Sequence, residues 1–353
     1  MTPQSVENQR GEIEFRKKLY LQQVEGQKIF DDEFDSAGAE TVLKQRMDKT
    51  LAQMIQLREQ GIPLSPYIEI GAERGQRSLI MENDLEASGA AVDISFDLLK
   101  SCRYYQRVFG KIKAPMMVCC DVHNLPFKAG SIPFVFCYEM LHHFPDPTPI
   151  VEEVHKVLRP TGNFFFDEEP YKRVLHFDLY KGRNEYSSWS FGGSLIRRAF
   201  DRLFSTQVCN EVEHGIIEND NISIAQWRSA LGLFSTKSVL LRPTSHPPIE
   251  SSLFGPRANF KYLLAYLLGG TISGICRKGS AGENGKQLSI EGGLICPSCK
   301  QSGKEVSLNR EGSSFRCSGC SKAYPVVEDV VFLFAYDKFA ELYPEVFQSY
   351  ASV

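Results

Sequence analysis

The sequence predicts an α/β fold with a doubly wound, largely parallel sheet, followed by a small metal-binding module at the C-terminus. Three observations predict it. Short apolar runs alternate with segments of helical texture between Tyr67 and Phe166, which is how strands buried on both faces and their crossover helices read. Acidic residues stand at the ends of several of those runs. Four cysteines fall into two CxxC pairs near the end of the chain.

The elements follow in order. Met47, Leu51, Met54, Ile55 and Leu57 recur at roughly helical spacing, so 45–60 is expected to be an amphipathic helix closed by Gly61. Strands are expected at Tyr67–Ile70, Ala90–Val92, Met116–Cys120, Phe134–Tyr138 and Asn163–Phe166, with helices over 95–108 and 149–158. The aromatic-rich stretch 170–234 reads as a largely helical insertion over the ligand-binding edge of the sheet, carrying His214 and Trp227. A sixth strand is expected at Lys237–Leu241 and a seventh at Gly270–Cys276. The domain plan is thus a helical cover (1–60), an α/β domain (61–276), a glycine-rich polar linker (277–291) and a cysteine-bearing module (292–353).

Composition narrows the class. The chain has 353 residues, 42% hydrophobic and 24% charged, as expected of an ordinary globular protein. A formal net charge of -3 exerts no overall pull on nucleic acid. The N-terminus, MTPQSVENQRGEIEFRKK, lacks the apolar core of an export signal, so a cytoplasmic location with reduced thiols is expected. The most apolar stretch, Tyr262–Cys276, is shorter than the ~20 residues a spanning helix needs. Gly269 and Gly270 interrupt it, so it reads as a helix and then a strand, without a membrane span.

In YIEIGAERGQRSL, Gly71 and Gly75 follow a strand and precede a helix, where glycine lets the backbone turn sharply and approach a ligand. Such a pair alone would fit the packing turn of any α/β protein. The acids sharpen it. Asp93 ends the next strand, 18 residues after Gly75, where a carboxylate can accept both hydroxyls of a ribose. Asp121 ends the third, where a side chain can meet an adenine edge, and Glu69 lies within reach of a cationic amino group. Ligands of open α/β sheets bind beyond the carboxyl ends of the strands, and all three acids fall there.

Taken together, Glu-Ile-Gly-Ala-Glu-Arg-Gly, Val-Asp-Ile-Ser and CCDVHNLPFKAGSIPFVFCYEMLHHFPDPTPIVEEVHKVLRPTGNFFF resemble the successive motifs of Rossmann-like class I S-adenosylmethionine (SAM)-dependent methyltransferases. The subgroup is the one that includes ubiquinone and menaquinone biosynthesis enzymes, and the resemblance covers roughly Pro66 to Phe166. It implies that Glu69, Gly71 and Gly75 hold the methionine part of SAM and that Asp93 binds the ribose. It also implies that Asp121 and Val122 meet the adenine and that Tyr138 and Glu139 form the wall beside the methyl group. The family's third glycine is replaced here by Glu73, next to Arg74, which leaves open a cleft that no longer binds cofactor.

Methyl transfer depends mainly on alignment and needs a general base chiefly for hydroxyl acceptors. His142 and His143 follow the fourth strand and are the candidate bases, with capping or packing of the turn as the plainer alternative. Asp167, Glu168 and Glu169 at the same edge either meet a cationic acceptor or form a solvated acidic turn. Cys119, Cys120 and Cys137 lie on core strands and read as packing residues.

Cys296 and Cys299 are separated from Cys317 and Cys320 by 17 residues, the spacing of a four-cysteine zinc ribbon. Four protein thiolates leave no open position on the ion, so a structural Zn2+ is expected. The segment from Leu294 to Phe334 resembles the small zinc-ribbon proteins that partner and stabilise tRNA and protein methyltransferases. That resemblance implies that Val330–Phe334 docks on the sheet or its edge. Between Cys296 and Pro325 five basic residues face two acids, and four thiolates on one zinc ion remove most of the excess. The module therefore lacks a strong phosphate-binding patch. A small-molecule acceptor is the first expectation; RNA methylation and a non-catalytic scaffold are the alternatives.

Overall fold

The computed structural model describes residues 3–30, 36–175, 180–183, 205–208, 216, 219, 221–245, 248–256, 259–279 and 288–350. Two helices, α1 (Pro3–Gln23) and α2 (Ser36–Glu59), precede the sheet. The first strands alternate with helices: β1 (Tyr67–Ile70), α3 (Gln76–Asn83), β2 (Gly89–Asp93), α4 (Phe96–Lys100), α5 (Cys102–Val108), β3 (Met116–Cys119), β4 (Ile132–Tyr138), α6 (Thr148–Val157) and β5 (Leu158–Tyr171). β1, β2 and β4 are buried along their whole length, which explains their unbroken apolar runs.

The sheet continues through β8 (Thr236–Ser245), β9 (Pro248–Ser252) and β10 (Gly270–Arg277). In space the central order is β3-β2-β1-β4-β5-β10-β8-β9. β1 to β5 run parallel, whereas β10 is antiparallel to both β5 and β8. The chain therefore reverses its order at β1 and β4. That switch point is where an open sheet of this kind opens a ligand crevice at its carboxyl edge.

The expected insertion is described only in part, and His214 lies outside the described residues. Within it, Tyr180–Arg183 (β6) and Ser205–Val208 (β7) form a short parallel pair, and Ile224–Ala230 is a helix with Trp227 buried beneath it. Strand structure thus accompanies helix in a span whose composition read as largely helical. Isolated strands of four residues leave little periodicity to read. β5 also runs five residues past the expected Phe166, its extension paired with β10.

At the far edge the sheet does not stop at β3. β14 (Val330–Phe332) lies parallel to it, with Val330, Val331 and Phe332 opposite Met117, Val118 and Cys119. β13 (Ala323–Val327), β12 (Ser314–Cys317) and β11 (Leu308–Glu311) follow outward as antiparallel neighbours. The sheet is twelve-stranded in total. Among the described residues no helix is long and apolar enough to cross a membrane.

Candidate cofactor cleft and cysteine cluster

Gly71 and Gly75 both adopt positive φ, +67° and +65°. A Cβ on Gly71 would lie 2.4 Å from the Met140 side chain, so glycine is required there by space as well as by conformation. Gly75 then opens α3 directly. Glu73, where the family carries a third glycine, sits at φ +49°, a region that a non-glycine residue enters only at some cost. Its backbone N–H donates to Asp93 Oδ2 at 2.8 Å. Its carboxylate lies 3.3 Å from Arg46 and 3.8 Å from Arg16 and Arg74. Burial alone would raise this carboxyl, but those guanidiniums outweigh it and hold it well below the usual range. Glu73 is therefore a neutralised strut at the turn.

The three acids lie at or just beyond the carboxyl halves of β1, β2 and β3. Glu69 is buried, accepts from Ser78 Oγ at 2.6 Å and is pushed up to about 7 by that burial, against the opposing pull of Arg77. Asp93 accepts from the Ser95 N–H at 2.8 Å as well as from Glu73, and burial pushes it up to about 6. Asp121 takes His123 N–H at 3.0 Å, His123 Nδ1 at 2.8 Å and Gln9 Nε2 at 3.4 Å. It also pairs with Lys338. Burial opposes its ionisation, yet His123 and Lys338 outweigh that and hold it well below its ordinary value. Val122 starts the one-turn helix after Asp121.

At the end of β4, the Tyr138 hydroxyl donates to Gln53 Oε1 at 2.8 Å, and Arg77 lies over its ring at 4.3 Å. Glu139 meets Arg46 at 3.1 Å. α2 thus presents Arg46, Lys49 and Gln53 to the carboxyl edge, while Met47, Met54 and Leu57 pack inward. The acids expected to form a turn after the fifth strand lie within β5, two of them buried. Asp167 is 1% and Glu169 0% exposed. Asp167 pairs with Lys49 at 2.8 Å and Arg242 at 3.6 Å. Glu168, the more open of the three, pairs with Lys49 at 2.7 Å.

Glu169 explains the histidines. Its carboxylate accepts the backbone N–H groups of Met140, Leu141 and His142 at 2.8, 3.0 and 3.2 Å. It also lies 2.9 Å from His142 Nδ1. His142 is therefore buried and clamped as part of the turn, so any proton it exchanges passes through Nε2. His143 stacks against it, ring centroids 4.5 Å apart, and is more open.

The four C-terminal cysteines converge as the spacing predicted. The Sγ atoms of Cys296, Cys299, Cys317 and Cys320 all lie within 4.8 Å of one another. Cys296 and Cys320 are 3.6 Å apart, Cys299 and Cys317 3.7 Å. A tetrahedral ion with Zn–S bonds of ~2.3 Å sets its thiolates ~3.8 Å apart, so the donor set fits such an ion. Backbone N–H groups of Cys299, Gly319 and Cys320 point at the sulfurs at 3.4 Å, which suits thiolates.

Residues 68–166 match the family described as a methyltransferase domain. That span runs from β1 to β5 and contains every expected cofactor residue. Curated relatives match over stretches of similar length. An uncharacterized chloroplastic methyltransferase of Arabidopsis thaliana is 33% identical over 89 residues, which is 24% of this chain and 25% of the relative. A ubiquinone biosynthesis O-methyltransferase of Xanthomonas axonopodis is 32% identical over 98 residues, 28% of this chain and 40% of that one. The chain thus spans well under half the length of these relatives. Among solved structures, the Haloferax volcanii complex between a methyltransferase activator and a candidate methyltransferase matches at 16% identity and a TM-score of 0.39. It covers 69% of this chain and 95% of that one. That likeness is remote.

The sequence did not point to Gln9, Arg16, Arg46, Gln53 or Lys338 as partners of these candidate site residues. For α2 a signal was present, since polar residues at 46, 49 and 53 share one helix face. For Gln9 and Lys338 none was, because contacts across more than a hundred residues leave no local pattern.

Proposed function

We propose that this protein is a SAM-dependent methyltransferase acting on a small-molecule acceptor, with a structural Zn2+ held by Cys296, Cys299, Cys317 and Cys320. The observation that carries the reading is the gathering of Glu69, Asp93 and Asp121 at the carboxyl ends of β1, β2 and β3, around the turn built on Gly71 and Gly75. Asp93 would accept the ribose hydroxyls, Asp121 the adenine amino group and Glu69 the methionyl amino group. Val122 and Tyr138 supply apolar walls, and Glu139 is fixed beside them by Arg46. When bound, SAM supplies an electrophilic methyl group on a sulfonium.

The chain's own contribution is then alignment and exclusion of water. For a hydroxyl acceptor, His143 or the Nε2 of His142 would take the proton, the latter with its ring oriented by Glu169. The cations on the acceptor side favour a small molecule over RNA. Arg46, Lys49 and Arg242 are each matched to carboxylates, where a polynucleotide backbone would need unmatched charge.

Calorimetric titration with S-adenosylhomocysteine tests the reading. Saturable binding by the intact protein, lost in Asp93→Ala, is expected. A folded protein that binds none would leave only a scaffold role. Salt-dependent binding to RNA would move the acceptor assignment to nucleic acid.

A further inference from the structure

The C-terminal module reaches past the sheet edge to the acids at the carboxyl ends of β2 and β3. Its helix Tyr336–Leu342 carries Lys338, which is 6% exposed and pairs with Asp121 Oδ2. One turn later the Tyr343 hydroxyl donates to the Ile94 carbonyl at 2.7 Å and accepts the Phe96 N–H at 3.0 Å. Both acid-bearing turns, the one after Asp93 and the one at Asp121, are therefore held from the same distant segment. The knuckle holds the next stretch too. Asn124 Nδ2 donates to the Pro297 carbonyl at 3.2 Å, Ile295 N to Pro126 at 2.9 Å, and Lys300 pairs with the buried Glu153 of α6.

The bonding around Asp121 is asymmetric. Oδ1 faces His123 and Gln9, whereas Oδ2 carries Lys338. A carboxylate oxygen has two lone pairs. With one of them on the ammonium, Oδ2 can still accept an exocyclic amine, and the ammonium keeps the acid ionised for it. We propose that Lys338 is a positioning residue of the cofactor site, supplied by the C-terminal module, which aims and charges Asp121 for the adenine amino group. The proposal rests on the methyltransferase reading above.

The test is a double-mutant cycle read by S-adenosylhomocysteine calorimetry on the full-length protein, using Lys338→Met, Asp121→Asn and the pair. Loss of a charge-assisted partner should weaken binding by roughly tenfold in Lys338→Met. In the Asp121→Asn background the same change should cost less than about twofold, because the residue acts through that acid. Equal losses in both backgrounds would overturn the proposal and leave Lys338 a packing residue. Tighter binding by Lys338→Met would also overturn it, since the lysine would then be obstructing adenine. If Lys338→Met does not fold, Lys338→Gln, which keeps a donor without the charge, carries the same cycle. Absence of binding in the parent protein would instead sink the methyltransferase reading, and the two failures are told apart by that one titration.

Discussion

Glu69 shows what a buried carboxylate costs the strand that carries it. It is a carboxylate on a strand buried along its length, pushed up to about 7. A carboxyl whose folded pKa lies above its unfolded value lowers stability as pH rises from about 4 to about 7, and the loss persists above that. Glu69→Gln should therefore stabilise the ligand-free protein at pH 8 by about 2–3 kcal/mol. Urea unfolding at pH 8 would show this, and S-adenosylhomocysteine affinity should fall in the same variant. Asp93, pushed up to about 6, makes a second prediction. Ribose hydroxyls need the ionised form, as does the methionyl amino group at Glu69, so affinity should climb as pH rises through 6 and 7 and then level. Titrations in buffers of different ionisation enthalpy should detect proton release on binding between pH 5 and 6. A flat profile would mean that the ribose lies elsewhere. Glu169→Gln places an amide against a turn built to donate three N–H groups, and should cost about 2–4 kcal/mol in urea unfolding. At this scale the sequence was most legible where local geometry dictates the residue: Gly71 and Gly75 make the turn, and Asp93 and Asp121 end or follow β2 and β3. Glu169 was misread as equally suited to a solvated turn because nothing local marks a carboxylate that reaches across to the turn after the neighbouring strand, β4.

Among the elements, the strands were legible because a strand buried on both faces has to be a continuous apolar run. α1 was not, since its sequence is polar around most of its circumference and offers no clear stripe. Its position follows from scattered contacts. Ile13, Phe15 and Leu19 are buried, Arg16 reaches Glu73 at 3.8 Å, Gln9 reaches Asp121, and Tyr20 lies under Lys100 at 4.3 Å. The helix thus covers Glu73 and Asp121, beside the positions proposed for ribose and adenine. Deleting residues 1–24 should leave the sheet folded by circular dichroism while weakening S-adenosylhomocysteine binding by about tenfold or more. Unchanged affinity in the shortened chain would show that the helix takes no part in binding. β9 and the β6–β7 pair escaped the sequence for a different reason. They are short additions whose pairing is set by neighbours rather than by their own residues.

For the whole molecule, the C-terminal module and the methyltransferase domain share one sheet and one core. Phe332, Phe334, Phe339 and Tyr343 pack with Leu99, Cys102 and Cys119 in a single cluster. The CxxC spacing revealed the module and its resemblance pointed to docking, but the register against β3 and the reach of Lys338 exist only in three dimensions. Stripping metal with a strong chelator should release one zinc per chain and lower the melting temperature of the entire protein in one transition. Two separated transitions would mean that the module folds apart from the rest. The strand that joins β3 has one more consequence. Met116–Cys119 would otherwise present an apolar, unpaired backbone edge, the kind of surface on which a second chain can template itself. β14 closes that edge, and the hairpins beyond it end the sheet on β11, where Asn309, Arg310 and Glu311 are exposed to solvent. A chain cut before β14 should therefore aggregate, by light scattering, at concentrations where the full chain stays monodisperse.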